Sequence, residues 1–491
     1  MFAKNPTSTK CSLLLITCIC SVLLGCGRST TKYKAPDASS TLTVAQTGPT
    51  TFLVDFQREQ GGQLVISSSS PTGITLDITL GESKEDLTPQ SSWLGQLTAT
   101  VSSASAFTSV PTGFRFAQVI ASPNDFATLR FSVNPTTANL GAPGPFHSGD
   151  SELDKIWQVS VYTTQLVLQN GVIFDGPKRD RDTFSGDTFV TAKVLRAAFG
   201  HAADGIVEQS ISEQASRQDL FCPGAADVNC TPSYNAWWIL DLADLYRYNH
   251  DMTFLLAQRS NLLRILQLIQ SEMENGLMKS FGPDVTVFAD WSPDMVHFGS
   301  FPLAPEAIKI GSMIDYMAFQ QASFLLSETG DMTDASTYAA LAVSTKAAIM
   351  AAYLDPSTGT FGGRVQTNAM AIYSGIANDA ATMEGIFQQI LSQPPVHPVT
   401  PYFNYFVISA MDKAGHHADA IQLLKTFWGS MLNSGATTFW EMYDPQCVNR
   451  ADFHSCLTAY SNTLQSVDKR LYVSLSHAWS SGPAAFLSGI D

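Results

Sequence analysis

The sequence predicts a multidomain β + α protein, with an N-terminal β-sandwich followed by a larger region of paired helices. Three observations carry this. Residues 41–139 contain TLTVAQ, TFLVDF, GQLVISSS, GITLDITLG, LTATVSS, FRFAQVI and TLRFSV, short runs rich in Val, Ile, Thr and Phe with Gly, Pro, Ser and Asn between them. Residues 139–145 (NLGAPGP) then supply a Gly/Pro boundary. Beyond it the period changes. Residues 150–168 place Leu153, Ile156, Trp157, Val161 and Leu166 on one helical face. Similar stretches follow at 185–200, 203–217, 234–249, 253–274, 305–328, 333–353, 366–377, 379–392, 401–414, 416–432 and 474–489, mostly in adjacent pairs. No fixed-length repeat is visible. A dozen paired helices are compatible with an (α/α)6 toroid and equally with an irregular bundle.

Composition narrows the function. The chain has 491 residues, too many for one ordinary core. It is 45% hydrophobic with mean hydropathy near zero, as a folded globular protein is. A net charge of -15 argues against a nucleic-acid partner.

The N-terminus has the pattern of a targeting segment. Lys4 and Lys10 precede an apolar run at 11–25, short for a membrane span. The run ends in Leu23-Leu24-Gly25-Cys26, which resembles a bacterial lipobox, in which cleavage precedes a cysteine that is then lipidated. The expected organisation is a lipoprotein signal peptide at 1–25, a tether at 26–40, the sandwich at 41–145 and the helical domain at 146–491. Such a protein is exported and held by its lipid anchor, in the periplasm or at the cell surface. The remaining cysteines form two close pairs, Cys222 with Cys230 and Cys447 with Cys456. Local disulfides are the simplest reading in an oxidising compartment, because the spacings are too long for the usual zinc knuckle.

The chemistry concentrates at 175–187 (DGPKRDRDTFSGD). Four carboxylates and three cations occupy thirteen residues of a chain that is only 14% charged. Gly176, Pro177 and Gly186 make it a loop. A solvated turn is the plain alternative, but the apolar flanks LVLQNGVIF and TFVTAKVLRAAF place the loop in a cleft. Three further stretches join an acid or a histidine to aromatic residues: Asp290-Trp291, Trp440-Glu441 within 435–444, and His477 within 474–479. Aromatic rings stack on sugar faces, and apolar neighbours raise a carboxyl pKa. Acids on separate loops, with no metal-binding pattern and no cofactor motif, suit glycoside hydrolysis. No Gly-rich phosphate loop or serine-hydrolase elbow is present.

In the order of these features the chain resembles the α-L-rhamnosidases of glycoside hydrolase family 78 and their six-hairpin relatives. The resemblance runs over Phe52-Leu-Val-Asp55-Phe56, Phe114-Arg-Phe116, Gly144-Pro-Phe146-His-Ser-Gly-Asp150, Leu153-Asp-Lys-Ile-Trp157, the 175–187 loop, Ala289-Asp290-Trp291, Gln366-Thr-Asn-Ala-Met, Thr400-Pro-Tyr-Phe403, Thr437-Thr-Phe-Trp440-Glu441 and Ser474-Leu-Ser-His477. It implies an (α/α)6 barrel and inverting hydrolysis of a terminal α-L-sugar, with a carbohydrate as the partner. It further implies that Glu441 is the general base and that Asp175, Arg179 and Asp187 hold sugar hydroxyls and orient the acid. Asp290, Trp291 and His477 would contact the sugar, and Trp440 would line the pocket. The opening loop departs from the family. The usual Cys after the first Asp is Gly176, and Arg181 falls where the family's general acid, a Glu, stands. The loop is also one residue shorter. Asp180 or Asp182 then supplies the acid, Asp180 being favoured because the gap falls more naturally after Arg179. The shorter aspartate leaves open an L-sugar other than rhamnose. A non-catalytic glycan-binding lipoprotein, and a lyase or phosphorylase, are the alternatives on the same fold.

Overall fold

The computed structural model describes residues 42–90, 92–217, 231–281, 285–292, 294–297, 304–445 and 473–490. The targeting segment with Cys26 lies outside the described residues. So do all four cysteines expected to form disulfides: Cys222 and Cys230 of the first pair, and Cys447 and Cys456 of the second. Among the described residues no helix is long and apolar enough to cross a membrane.

The N-terminal region is sheet-rich. Strands β1 (Thr43–Gln46), β2 (Thr51–Ser68), β3 (Ile74–Gly81), β4 (Gln96–Val101), β5 (Phe107–Thr108), β6 (Thr112–Ile120) and β7 (Leu129–Pro135) form one hydrogen-bonded antiparallel sheet. Alternation of apolar residues drives Val54, Phe56, Leu64, Ile66, Leu76, Ile78, Phe114 and Val119 into one core. The runs 51–56 and 62–69, which look like separate strands in the sequence, are a single strand. Its register slips between Asp55 and Gln60, where Gln57 takes φ 67° and its N–H donates to Asp55 Oδ1 at 2.7 Å. Such a bulge bends a strand without ending it. Here it presses Glu59 onto the helices, where its N–H donates to Thr437 Oγ1 at 3.0 Å and its carbonyl accepts from the Tyr162 hydroxyl.

Among the described residues the helices of six residues or more are α1 (Ser151–Leu166), α2 (Ser185–Phe199), α3 (Asp204–Ser216), α4 (Pro232–Asn249), α5 (Met252–Ser271), α6 (Pro305–Glu328), α7 (Met332–Tyr353), α8 (Val365–Tyr373), α9 (Ala380–Ile386), α10 (Pro401–Lys413), α11 (His417–Leu424) and α12 (Gly482–Leu487). The even-numbered helices are each in contact with the next, α2 with α4 through to α10 with α12, and α12 returns to α2. Of these, α4, α8 and α10 are buried along almost their whole length, polar side chains included. By contrast α5 and α7 bury only one stripe. The buried helices meet around an aromatic centre in which Trp237 lies 4.7 Å from Phe189 and 5.5 Å from Phe406, centroid to centroid.

One helical expectation shifts. Residues 474–477 are not helical, and the helix of the 474–489 stretch begins only at Gly482, after a 3-10 turn at Ala478–Ser481. The backbone of 474–477 is bonded elsewhere: His477 N donates to Phe439 O at 2.9 Å, and Glu441 N to Ser474 O at 3.0 Å. Gly482 opens α12 where a Cβ would lie 2.7 Å from Cβ and Cδ2 of the buried Tyr405. Gly482→Ala is therefore expected to lower stability by about 1–3 kcal/mol through overpacking. An unchanged thermal unfolding midpoint would contradict that.

Candidate active site

Three segments meet in a cleft that opens to solvent: the 175–187 loop, residues 437–441 and residues 473–479. The first loop closes on itself. Asp175 N donates to Asp182 O at 3.0 Å, and Asp182 N to Asp175 Oδ1 at 3.2 Å. Between them Arg181 N donates to Arg179 O at 2.5 Å, and Asp180 and Arg181 hold φ of 50° and 55°. Left-handed backbone costs about 1–2 kcal/mol per non-glycine residue, and this strain aims the two side chains apart. Gly176 fits where a Cβ would sit 3.0 Å from Ser476 O, which accounts locally for the absence of a larger residue.

At the centre is Arg179. Its Nη2 donates to both carboxylate oxygens of Glu441 at 2.6 Å, and its Nη1 pairs with Asp180 and lies 4.0 Å from Asp175. Glu441 is buried and also accepts from Ser474 N at 2.9 Å. Asp180 is more open, its side chain 37% exposed at the rim. Deeper in, His477 lies between two acids, with Nε2 3.9 Å from Asp175 Oδ2 and Nδ1 3.7 Å from Asp187 Oδ1. Among the described residues neither Asp187 Oδ1 nor His477 Nδ1 has a hydrogen-bond partner, although both residues are buried. Phe184, Tyr234, Phe288, Trp291 and Trp479 complete the walls.

Burial sets the protonation. It pushes Asp175 up to about 8, helped by Asp180 and opposed by Arg179. It raises Asp187 well above the usual carboxylate range, with Asp175 and Glu441 adding to the effect. It holds His477 well below its ordinary value, as does the charge on Arg179. Burial of the cleft floor therefore favours protonated Asp175 and Asp187 and a neutral His477 imidazole.

The structure thus brings together Asp175, Arg179, Asp180, Asp187, Trp291, Glu441 and His477. It sets Asp182, Asp290 and Trp440 apart from them. Asp182 is paired with Arg217, Nη1 to Oδ2 being 2.6 Å. Asp290 accepts from the Thr400 hydroxyl and from Gln366 Nε2 at 3.0 Å, away from the cleft. Trp440 lines a different groove from Glu441, shared with Lys84, Arg115 and Phe116 of the sheet region. Arg181 also turns away, donating to Pro111 O and to Gln169 Oε1 at 2.9 Å. Four aromatic wall residues carry no assignment from the sequence. Trp479 is within its reach, two positions beyond His477 in a polar–aromatic run, whereas Phe184, Tyr234 and Phe288 look like any core aromatic.

Residues 142–488 match the family described as the bacterial alpha-L-rhamnosidase six-hairpin glycosidase domain. The chain belongs to this family. It is accordingly a glycoside hydrolase of the α-L-rhamnosidase-like kind. The fold is shared with solved structures. A rhamnosidase from Klebsiella oxytoca with rhamnose bound aligns at TM-score 0.72 and 22% identity, over 91% of this chain and 88% of its own. The family 78 rhamnosidase of Bacillus sp. GL1 aligns at 0.71 and 21%, over 91% of this chain and 47% of its own. The Streptomyces avermitilis α-L-rhamnosidase complexed with L-rhamnose aligns at 0.71 and 17%, over 91% and 43%. The chain therefore spans most of the Klebsiella protein and about half of the other two. No curated protein matches the chain by sequence.

The buried acids give this six-hairpin glycosidase a pH dependence of stability. Asp290 is pushed up to about 6, Glu272 to about 7 and Asp175 to about 8, each mainly by burial. A carboxyl raised on folding contributes stability that is complete below its unfolded pKa and is lost as pH rises through the folded value. His477, lowered on folding, works the other way, but only up to its ordinary value near 6.5. Above pH 7 the loss that remains among these three is mainly that of Asp175, unopposed by His477. The thermal midpoint is expected to fall between pH 7 and pH 9, and a flat or rising midpoint would contradict these assignments.

Proposed function

We propose that this chain is an exported, lipid-anchored glycoside hydrolase that removes terminal α-L-rhamnose, or a related L-sugar, from glycans with inversion. Its scaffold would be an (α/α)6 barrel behind an N-terminal β-sandwich, a reading supported by the closed series of contacts from α2 to α12 and back. The observation that carries the chemistry is the Arg179 fork, with one nitrogen on buried Glu441 and the other on half-open Asp180. Glu441 is suited to be the general base. Its carboxylate is held by Arg179 and Ser474 N–H and faces the cleft, where water would be activated. Asp180 stands at the rim, where a leaving group departs, and would protonate the glycosidic oxygen. Asp175, Asp187 and His477 would hold sugar hydroxyls. A hydroxyl donates and accepts at once, which is what the unpartnered Asp187 Oδ1 and His477 Nδ1 lack. Trp291 and Trp479 offer apolar walls for the sugar ring.

Mature protein should release free sugar from an aryl α-L-rhamnoside, the first product having the opposite anomeric configuration to the substrate. No release across a panel of aryl L- and D-glycosides would overturn the proposal. Binding without turnover would favour a glycan-binding protein, a reading that draws on the occupation of both carboxylates by Arg179. Phosphate-dependent turnover or an unsaturated product would indicate a phosphorylase or a lyase. The anchor rests on the lipobox at 23–26, and Cys26→Ser should release the protein from the membrane fraction. Retention there would remove the anchor.

A further inference from the structure

A buried carboxylate just beyond β3, Glu82, reaches the site from the sheet region. We propose that Glu82 is a positioning residue for Glu441, so that the N-terminal region completes the active site. Glu82 Oε2 accepts from Leu475 N at 2.7 Å and pairs with Lys178 Nζ at 2.8 Å, while Oε1 accepts from Ser474 Oγ at 2.9 Å. Lys178 belongs to the 175–187 loop, and its Nζ also donates to Val473 O at 2.6 Å. One side chain therefore ties two of the three segments that build the cleft. The next link is the Ser474 N–H that donates to Glu441 Oε2 at 2.9 Å. The orientation of the carboxylate proposed to activate water depends on where residues 473–475 are held.

The surroundings fit a fixed joint. Gly113 of β6 lies against the loop where a Cβ would be 2.8 Å from Pro177 Cγ and 3.0 Å from Lys178 N. The Glu82 and Lys178 side chains are almost fully buried, with Glu59 and Asp86 as the neighbouring acids. A buried ion pair contributes little net stability, because desolvation offsets the attraction. What it adds here is direction. The carboxylate fills three donors at set angles, and a displacement of about 1 Å in catalytic geometry can cost 10²-fold in rate.

The inference rests on the reading of Glu441 as general base. Glu82→Gln keeps the reach and an acceptor for Leu475 N–H but loses the charge. Glu82→Asp keeps the charge but falls one methylene short. If Glu82 positions Glu441, Glu82→Asp lowers kcat at least tenfold with KM changed less than about threefold, and Glu82→Gln recovers most of that kcat. If the pair matters only for its charge, Glu82→Asp is the milder change, and that order overturns the proposal. Should Glu82→Gln fail to fold, Glu82→Asp decides alone, and wild-type kcat sinks the idea. An inactive Glu441→Gln beside a fully active Glu82→Asp defeats this inference only. A fully active Glu441→Gln defeats the underlying reading.

Discussion

Glu441→Gln is expected to reduce kcat by about 10²–10⁴-fold on an aryl α-L-rhamnoside while leaving the protein folded, the range typical of losing one positioned acid–base group. The amide has the shape of the carboxylate and keeps an oxygen for the Ser474 N–H, now bonded at 2.9 Å. It cannot take a proton from water. The concern with such a variant is the charge left behind, since breaking a buried ion pair costs about 3–5 kcal/mol when the survivor is stranded. Arg179 is not stranded. Asp180 remains on Nη1, and Asp175 lies 4.0 Å away. The thermal midpoint should therefore fall by much less than a stranded arginine would require. The KM should move little if Glu441 acts on water rather than on the sugar. Activity within threefold of wild type would take Glu441 out of the reaction.

How far the sequence reveals this molecule depends on the range of the interaction concerned. The helices are legible because each is set by its own period, and Asp150, Asp251 and Thr400 cap α1, α5 and α10 through bonds to backbone N–H groups a few residues on. The 175–187 loop is legible as a dense run of charge between buried flanks. The final segment is not. Ser474 to His477 have helical-looking neighbours, but their backbone is bonded to residues 439 and 441, a tertiary pairing that no local pattern announces. The same limit governs side-chain direction. Trp440 and Glu441 are adjacent but line different pockets, so only one faces the cleft. Asp290 and Trp291 divide in the same way, the tryptophan lining the cleft and the acid held by Thr400 and Gln366. Glu82 lies almost four hundred residues from Leu475, whose N–H it accepts, and nothing near it in sequence marks it as part of a site.

The choice between Asp180 and Asp182, open in the sequence, becomes a measurable contrast once their partners are known. Asp180→Asn should cost about 10²–10⁴-fold in kcat with a poor leaving group such as a second sugar, and far less with an acidic phenol that departs without protonation. Asparagine tolerates left-handed backbone, so the φ of 50° at position 180 can persist and the variant tests the proton alone. Asp182→Asn should behave differently. It weakens the pair with Arg217, which anchors the end of α3 to the loop, so stability falls while the dependence on leaving group stays that of the wild type. The reverse pattern, with leaving-group sensitivity appearing only in Asp182→Asn, would hand the acid role to Asp182 and require the loop to rearrange when substrate enters. The strained backbone at 180 and 181 makes the first outcome the expected one. It turns Arg181 toward the sheet and Asp180 to the rim, so a single local distortion puts an aspartate at the mouth of the cleft.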